Sequence, residues 1–150
     1  DPGIMLQLSE RLERGEWLAI AGDRVPLHGG RTVTVDFLGQ CASETINGRY
    51  FSSSGGQNDF ARGAMYSEGG QGFVVLRSTT SKGTSRIVPQ LAAGDVVTTP
   101  KNTVDKIVTE WGVAELRGRT IRERARALIA VAHPDHRAEL TAQAERMEYI

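Results

Sequence analysis

"SSSGGQNDFARGA", residues 52–64, brings three serines and two glycines to the start of a segment that predicts a helix, "DFARGAMYS" over 59–67. Segments typical of strands lie on both sides of it. "RTVTVDFLG" (31–39) places apolar residues on one face, and "GFVVLRST" (72–79) is rich in β-branched residues. Strands interleaved with helices are typical of an α/β domain, so this stretch decides the fold class that we predict.

The predicted helix needs a residue that accepts hydrogen bonds from its first amides. Asn58 or Asp59 is expected to cap its N-terminus. After the second strand, "TSKGTS" (80–85) reads as a polar loop. Three further short β-like segments follow between turn residues, and they read "RIVPQL", "DVVTTP" and "DKIVTEWG".

The last thirty residues predict two helices. Thr120 and Glu123 form a T-x-x-E capping box at the start of the first. Pro134 suits the first turn of the second helix, with His133 as its cap. The apolar residues expected to face the core are Ile121, Ala125, Leu128, Ile129 and Ala132 in the first helix, and Leu140, Ala144 and Met147 in the second.

The beginning of the chain predicts a separate helix and strand. Residues 4–14, "IMLQLSERLER", carry four apolar residues at helical spacing, and Gly15 is a suitable stop. "WLAIAG" (17–22) then predicts a short buried strand, and the following "DRVPLHGG" is rich in turn residues.

Composition excludes several classes of protein. The 150 residues contain 18 basic and 18 acidic side chains, which argues against a dedicated nucleic-acid surface. No run reaches the roughly 18 apolar residues of a membrane span. The opening "DPGIMLQ" lacks the basic and apolar regions of a signal peptide. Cys41 is the sole cysteine, so we expect a reducing compartment, the cytoplasm.

The glycine pair suggests a ligand. Gly55 and Gly56 can adopt positive φ and let a ligand approach the main chain. Amides 55–58 would then lie near the positive end of the helix, where they can hold an oxyanion or a phosphate. The alternative is a glycine-rich loop with no ligand, and the residues alone leave it open. A nucleotide P-loop is not expected, because G-x-x-x-x-G-K-[ST] is absent.

No metal site is expected. His28, His133 and His136 have no ligand-like spacing with Cys41, which we expect to be a small buried residue. Glu110, in "VTEWG", ends an apolar strand, where its carboxylate could face a cleft or merely solvent. Four basic residues near turns could neutralise phosphates or be plain surface charges: Arg62, Lys82, Arg86 and Lys101.

Three motifs occur in one order along the chain. They are G-G-Q-x-D-F at 55–60, V-T-E-x-G-V-A-x-L-R-G at 108–118 and A-H-P-D-x-R at 132–137. On these motifs, the sequence from about Val33 to Leu140 resembles the C-terminal domain of the acetyl-CoA hydrolase/transferase family, which includes 4-hydroxybutyrate CoA-transferases. The resemblance implies an α/β fold with a central mixed sheet flanked by helices and two C-terminal helices.

The resemblance also implies a chemistry. Family members move coenzyme A between carboxylic acids or hydrolyse the thioester, through a glutamate that attacks the acyl-CoA. The glycine loop is implied to contact the thioester oxygen and the coenzyme A arm. The implied catalytic residues are Gly55, Gly56 and Glu110, and the implied coenzyme A contacts are Gly55, Gly56, Gln57, Asp59 and Phe60, to which we add Lys82.

Two departures from the family pattern qualify this expectation. The nucleophilic glutamate of the family lies upstream of the glycine motif, and none of Glu10, Glu13, Glu16 or Glu44 has a matching context. The chain alone is therefore expected to be inactive and to need the N-terminal part of a CoA-transferase as its partner.

The second departure is the start of the chain. Residues 5–39 resemble a segment of lipid A biosynthesis-type lysophospholipid acyltransferases, through "GEW-x-x-IAGDRVP" and "V-x-V-x-FLG". The H-x-x-x-x-D motif of those enzymes is absent. We therefore divide the chain into residues 1–32, a helix–strand segment whose likeness reflects either recombination or chance, and residues 33–150, the CoA-transferase-like domain.

The function expected from the sequence is that of a CoA-transferase domain with acyl-CoA and carboxylate ligands and no metal. Two alternatives stay open: a folded domain, recombined or designed, that has no ligand, and an acyl-CoA hydrolase. A homo-oligomer is compatible with the sequence, whereas nucleic-acid and membrane partners are not expected.

Overall fold

The strands form three small sheets. The computed structural model describes residues 33–46 and 48–150, so the helix predicted at 4–14 and the strand predicted at 17–22 lie outside the described residues. The strands are β1 (Thr34–Asp36), β2 (Cys41–Ala42), β3 (Thr45–Ile46), β4 (Arg49–Tyr50), β5 (Phe73–Val75), β6 (Ile87–Val88), β7 (Lys106–Thr109) and β8 (Gly112–Glu115). The helices are α1 (Gln57–Tyr66), α2 (Ile121–Ala130) and α3 (Pro134–Arg146).

Two of the three sheets mix parallel and antiparallel pairs. The first has the order β2-β1-β6, in which β1 is antiparallel to β2 and parallel to β6. The second is the β3-β4 hairpin. The third has the order β5-β7-β8, in which β7 is parallel to β5 and antiparallel to β8. The predicted α/β class with two C-terminal helices is confirmed, with the strands divided over three small sheets.

Most of the segments predicted as strands form strands, but they are short. "DVVTTP" forms none, and within it Thr99 makes only an isolated bridge to Cys41. Pro100 ends this segment, and proline lacks the amide that a ladder needs. No strand among the described residues exceeds four residues, and these strands pair into three separate sheets.

The core lies between the sheets and the two C-terminal helices. Phe37, Ile87, Ile107, Leu116 and Leu128 are its largest fully buried apolar side chains. In α2 the predicted core face is confirmed at Ala125, Leu128 and Ile129, but Ile121 is 45% exposed. The apolar contact of this helix therefore begins one turn after its first residue.

The two C-terminal helices begin as the sequence predicts. The Thr120 hydroxyl accepts a hydrogen bond from the Glu123 amide, and the Glu123 carboxylate accepts one from the Thr120 amide at 2.8 Å. At the start of α3, His133 Nδ1 accepts from the Asp135 amide and Pro134 occupies the first turn. Both caps are local interactions, which explains why the sequence alone predicts them.

The cap predicted for α1 is wrong. The helix begins at Gln57, its N-cap is Gly56, and no side chain caps it. Asn58 and Asp59 therefore lie inside the first turn. Asn58 Oδ1 instead accepts a hydrogen bond from the Thr103 hydroxyl at 3.3 Å.

Replacing Thr120 tests the capping box. Thr120→Ala removes the hydroxyl that holds the Glu123 amide, so the free energy of unfolding should fall by about 1 kcal/mol. Thr120→Ser keeps the hydroxyl and serves as the control. Thermal and denaturant unfolding of the three proteins measures the effect, and equal stability of Thr120→Ala and the parent would contradict the cap.

Candidate functional site

The loop before α1 exposes the backbone at Gly55. Gly55 has φ of +58°, whereas Gly56 has φ of −97°, so the expected positive φ occurs at the first glycine only. A Cβ atom added at Gly55 would meet no atom within 4 Å. At Gly56 it would lie 3.1 Å from the Phe60 ring. The chain is therefore open to a ligand at Gly55 and covered by an aromatic ring at Gly56.

The first amides of α1 have no acceptor among the described residues. The first hydrogen bond of the helix runs from the Phe60 amide to the Gly56 carbonyl at 2.9 Å. The preceding amides of Gln57, Asn58 and Asp59 make none within the described part of the chain. Such amides carry the positive end of the helix dipole, so they can donate to an oxyanion. The Asp59 carboxylate lies in the same turn and adds a negative charge there.

Helix α1 lies on the surface of the domain. None of its residues is buried, and Phe60 and Tyr66 are 54% and 80% exposed. Besides the bond from Thr103 to Asn58, it is located by the glycine turn that follows it, since a Cβ added at Gly70 would overlap the Ala64 carbonyl. Polar contacts and a close backbone approach, rather than burial, therefore position this helix.

Glu110 is held by Ser78. The fully buried Ser78 donates from its amide to Oε2 at 2.9 Å and from its hydroxyl to Oε1 at 2.7 Å. Desolvation by itself raises the pKa of Glu110, but the hydrogen bonds from Ser78 and the charge of Arg77 outweigh it and lower the pKa below its ordinary value. The carboxylate is thus a fixed anion at the C-terminal end of β7.

Two of the predicted site residues lie on parts of the chain other than the glycine loop and α1. Glu110 follows β7, whereas α1 contacts Thr103, which precedes that strand. Lys82 lies in the loop that packs on α3, where His136 Nε2 is 2.8 Å from the Gly83 carbonyl. No hydrogen bond or ion pair between described residues joins Glu110 or Lys82 to the loop. The structure brings together Gly55, Gly56, Gln57, Asp59 and Phe60.

The sequence analysis missed Asp105, a buried carboxylate beside the site. It accepts hydrogen bonds from the Gly72 amide at 3.0 Å and from Lys106 Nζ at 3.1 Å, and Arg117 lies 3.6 Å away. Asp105 therefore links three parts of the chain: the glycine turn that follows α1, the start of β7, and the segment after β8. The only signal in the sequence was an acidic residue directly before an apolar strand.

Neither metal ligands nor a reactive thiol are found in the described part of the chain. No group of three or more His, Cys, Asp or Glu residues there could hold a metal ion. Cys41 is completely buried, and this burial, with a smaller contribution from Asp36, raises the pKa of its thiol to about 12. As expected from the sequence, Cys41 is a small buried residue, and it stays protonated at neutral pH. The described helices include none that is long and apolar enough to cross a membrane.

The loop, the helix and the two C-terminal helices define a class of protein. Residues 30–144 match the family model of the acetyl-CoA hydrolase/transferase C-terminal domain. The chain belongs to this family, and its fold is that of the CoA-transferase C-terminal domain.

Individual proteins and a solved structure of this family are similar to the chain over most of its length. The chain is 57% identical over 120 residues to succinyl-CoA:cyclohexane-1-carboxylate CoA transferase of Geobacter metallireducens, covering 79% of this chain and 28% of the relative. It is 52% identical over 109 residues to 4-hydroxybutyrate coenzyme A transferase of Clostridium kluyveri, covering 72% and 25%. The crystal structure of RipA from Yersinia pestis superposes with a TM-score of 0.72 at 45% identity, covering 79% and 27%. The chain thus spans about a quarter of the length of these relatives.

Replacing Glu110 tests the bond to Ser78. Glu110→Gln should lower the free energy of unfolding at neutral pH by about 1 kcal/mol, a figure reduced for solvent screening of an exposed carboxylate. Because the folded-state pKa is lowered, the stabilisation is complete above the unfolded-state value of about 4.3 and is lost as pH falls through the folded-state pKa.

Unfolding from pH 7 down to pH 3 measures this dependence. The exposed Glu68→Gln is the control and should leave stability unchanged. A difference between Glu110→Gln and the parent that stays constant across the acidic range would refute the assignment.

Proposed function

We propose that this chain supplies the coenzyme A side of a CoA-transferase site. The observation that carries the proposal is the loop at the start of α1. It combines an open Gly55 with helix N-terminal amides that have no acceptor in the described part of the chain. The identities of 57% and 52% to proteins named as CoA transferases favour transfer of coenzyme A over hydrolysis of the thioester.

In the proposed reaction, a glutamate from another part of the enzyme attacks the thioester carbonyl carbon. The negative charge that develops on the carbonyl oxygen is stabilised by the loop amides, each worth about 3 kcal/mol in comparable sites. The carbon–sulfur bond breaks, leaving an acyl-glutamyl anhydride and the coenzyme A thiolate. The thiolate then attacks the glutamyl carbonyl, which releases the carboxylic acid and leaves coenzyme A on the glutamate.

The predicted site residues receive roles in this scheme. Gly55 and Gly56 are the proposed catalytic amide donors, beside the amides of Gln57, Asn58 and Asp59 that have no acceptor among the described residues. Gln57 and Phe60 are proposed to contact the coenzyme A arm near its sulfur, and Asp59 to stabilise the first turn of α1 and so fix the amide directions.

Two further residues have proposed roles away from the loop. Glu110, oriented by Ser78, is the proposed support residue for the attacking glutamate. Lys82 is proposed to neutralise a coenzyme A phosphate. This role requires the ligand to extend from the glycine loop to the loop at 80–84.

The attacking glutamate is proposed to come from the N-terminal part found in full-length relatives. The chain spans only about a quarter of their length. Exposed large apolar side chains precede the loop and continue along α1, a surface on which such a part would dock: Tyr50, Phe51, Phe60, Met65 and Tyr66. Burying these apolar side chains would also exclude water from the thioester and so favour transfer over hydrolysis.

Calorimetric titration of coenzyme A and acetyl-CoA into the chain tests the proposal, with a thiol assay alongside. Saturable binding without release of thiol is the expected result, since no glutamate of the sequence stands in the context of the nucleophile. Absence of binding would refute the proposal and favour a folded domain with no ligand. Release of thiol would show that the chain carries a nucleophile of its own.

Substitution of Gly55 tests the loop directly. Gly55→Val places a β-branched side chain at positive φ, so it should both abolish binding of coenzyme A and lower stability. Gly55→Asn tolerates positive φ better, so it should block the ligand at a smaller cost in stability. Binding titrations and thermal unfolding separate the two effects.

Gly118→Asn is the matched control, because Gly118 also has positive φ and open space around its Cα. It should bind coenzyme A as the parent does. Unchanged binding by Gly55→Asn would remove the loop from the site.

A further inference from the structure

Glu110 occupies an exposed turn, yet both of its carboxylate oxygens accept hydrogen bonds. Two residues, Glu110 and Trp111, connect β7 to β8, and both are exposed. The donor to both oxygens, Ser78, is fully buried. Because water competes for hydrogen bonds at an exposed side chain, the two bonds to Ser78 persist only if the turn itself stays in place.

The turn is anchored on the segment between α2 and α3. Thr109, the last residue of β7, donates from its hydroxyl to the Val131 carbonyl at 2.6 Å. The same hydroxyl accepts a hydrogen bond from the Trp111 amide at 3.1 Å. One side chain therefore ties the main chain of the turn to the C-cap residue of α2.

The indole ring of Trp111 makes two further contacts with the start of α3. The His133 ring meets it edge-on, with 5.5 Å between the ring centroids and 87° between the ring planes. The guanidinium carbon of Arg137 lies over the indole, 5.7 Å from its centroid. Both distances are typical of favourable aromatic and cation–π contacts. Trp111 is thus attached to this segment by its ring as well as by its amide.

The A-H-P-D-x-R motif orients both partners of the indole. His133 Nδ1 accepts a hydrogen bond from the Asp135 amide at 3.3 Å, which holds the imidazole at the start of the helix. Arg137 Nε donates to the Ala132 carbonyl at 2.9 Å, which holds the guanidinium beside the same turn of helix. Hydrogen bonds within the motif therefore direct two of its side chains at Trp111.

We propose that the A-H-P-D-x-R motif positions Glu110 for the reaction by holding its turn through Trp111. Ser78 fixes the carboxylate, and the motif fixes the main chain that carries it. His133, Trp111 and Arg137 are positioning residues in this scheme, since they act only through Glu110. The inference deepens the proposed function and rests on it for the role of Glu110.

The titration of Glu110 reports whether its turn is in place. NMR follows the side-chain carboxyl carbon across the acidic range, and the loss of its signal in Glu110→Gln identifies it. In the parent, desolvation raises the pKa, but the hydrogen bonds from Ser78 and the charge of Arg77 outweigh it and keep the pKa below its ordinary value. Trp111→Ala should raise this pKa towards the ordinary value, because a turn that moves loses Ser78. The change removes no charge, so lost electrostatic attraction cannot cause the rise.

Exchange of the Ser78 amide proton with solvent gives a second readout. This amide donates to Glu110 Oε2, whereas the Leu76 amide donates to the Val108 carbonyl of β7. Trp111→Ala should increase the ratio of the exchange rate at Ser78 to that at Leu76 about tenfold. A general loss of stability would speed exchange at both amides.

Two further variants separate the ring contacts from other effects. Trp111→Phe keeps an aromatic ring at the position, so it should retain the pKa and the exchange ratio of the parent. Arg137→Lys keeps the positive charge but loses the planar group over the indole and the Nε bond to Ala132. It should shift both readouts in the direction of Trp111→Ala by a smaller amount, and it decides the question if Trp111→Ala does not fold.

Thr120→Ala is the control for stability, since it weakens the cap of α2 without touching the turn. It should change neither the pKa of Glu110 nor the exchange ratio. If Trp111→Ala is less stable but keeps both values of the parent, the tryptophan contributes only to stability and the inference is overturned. The NMR test uses no ligand, so a chain that fails to bind coenzyme A overturns the proposed function separately.

Discussion

The arrangement of the site depends on the hydrogen bonds and ion pairs of one buried carboxylate, that of Asp105. It binds the Gly72 amide, Lys106 and Arg117, which belong to three separate parts of the chain. Its main-chain carbonyl also accepts the Leu116 amide at 2.8 Å. A buried charge is tolerated only when it is paired and hydrogen-bonded, so these partners must meet at one point. That meeting sets where β5 begins relative to β7, and hence where α1 ends.

Helix α1 inherits its position from this constraint rather than from a hydrophobic face. It buries no residue, yet its N-terminus carries the loop of the proposed site. A helix held at its ends and exposed along its length can present unpartnered amides, since no packing neighbour covers them. The same exposure leaves Phe60, Met65 and Tyr66 on the surface.

Local patterns were the most reliable guide to this structure. The capping box of α2, the His133 cap of α3 and the core face from Ala125 to Ile129 depend on residues three or four positions apart, and all three are confirmed. The cap of α1 was predicted wrongly at Asn58 or Asp59. A glycine at the N-cap has no side chain by which the sequence could indicate where the helix begins. The Asn58 side chain, which was expected to cap the helix, instead accepts a hydrogen bond from Thr103, 45 residues away.

By itself, the sequence determined the α/β class, the two C-terminal helices and the family, because these follow from short-range periodicity and from motifs whose order can be read along the chain. Only the tertiary structure decided that the described strands form three small sheets, that Ser78 holds Glu110, and that the Gln57 side-chain amide is buried with no acceptor among the described residues. Those outcomes depend on contacts between distant residues, such as the pairing of Val35 with Ile87. Bringing distant residues together costs conformational entropy, and the contacts that they then form must compensate this cost. A pattern of neighbouring residues contains no information about those contacts.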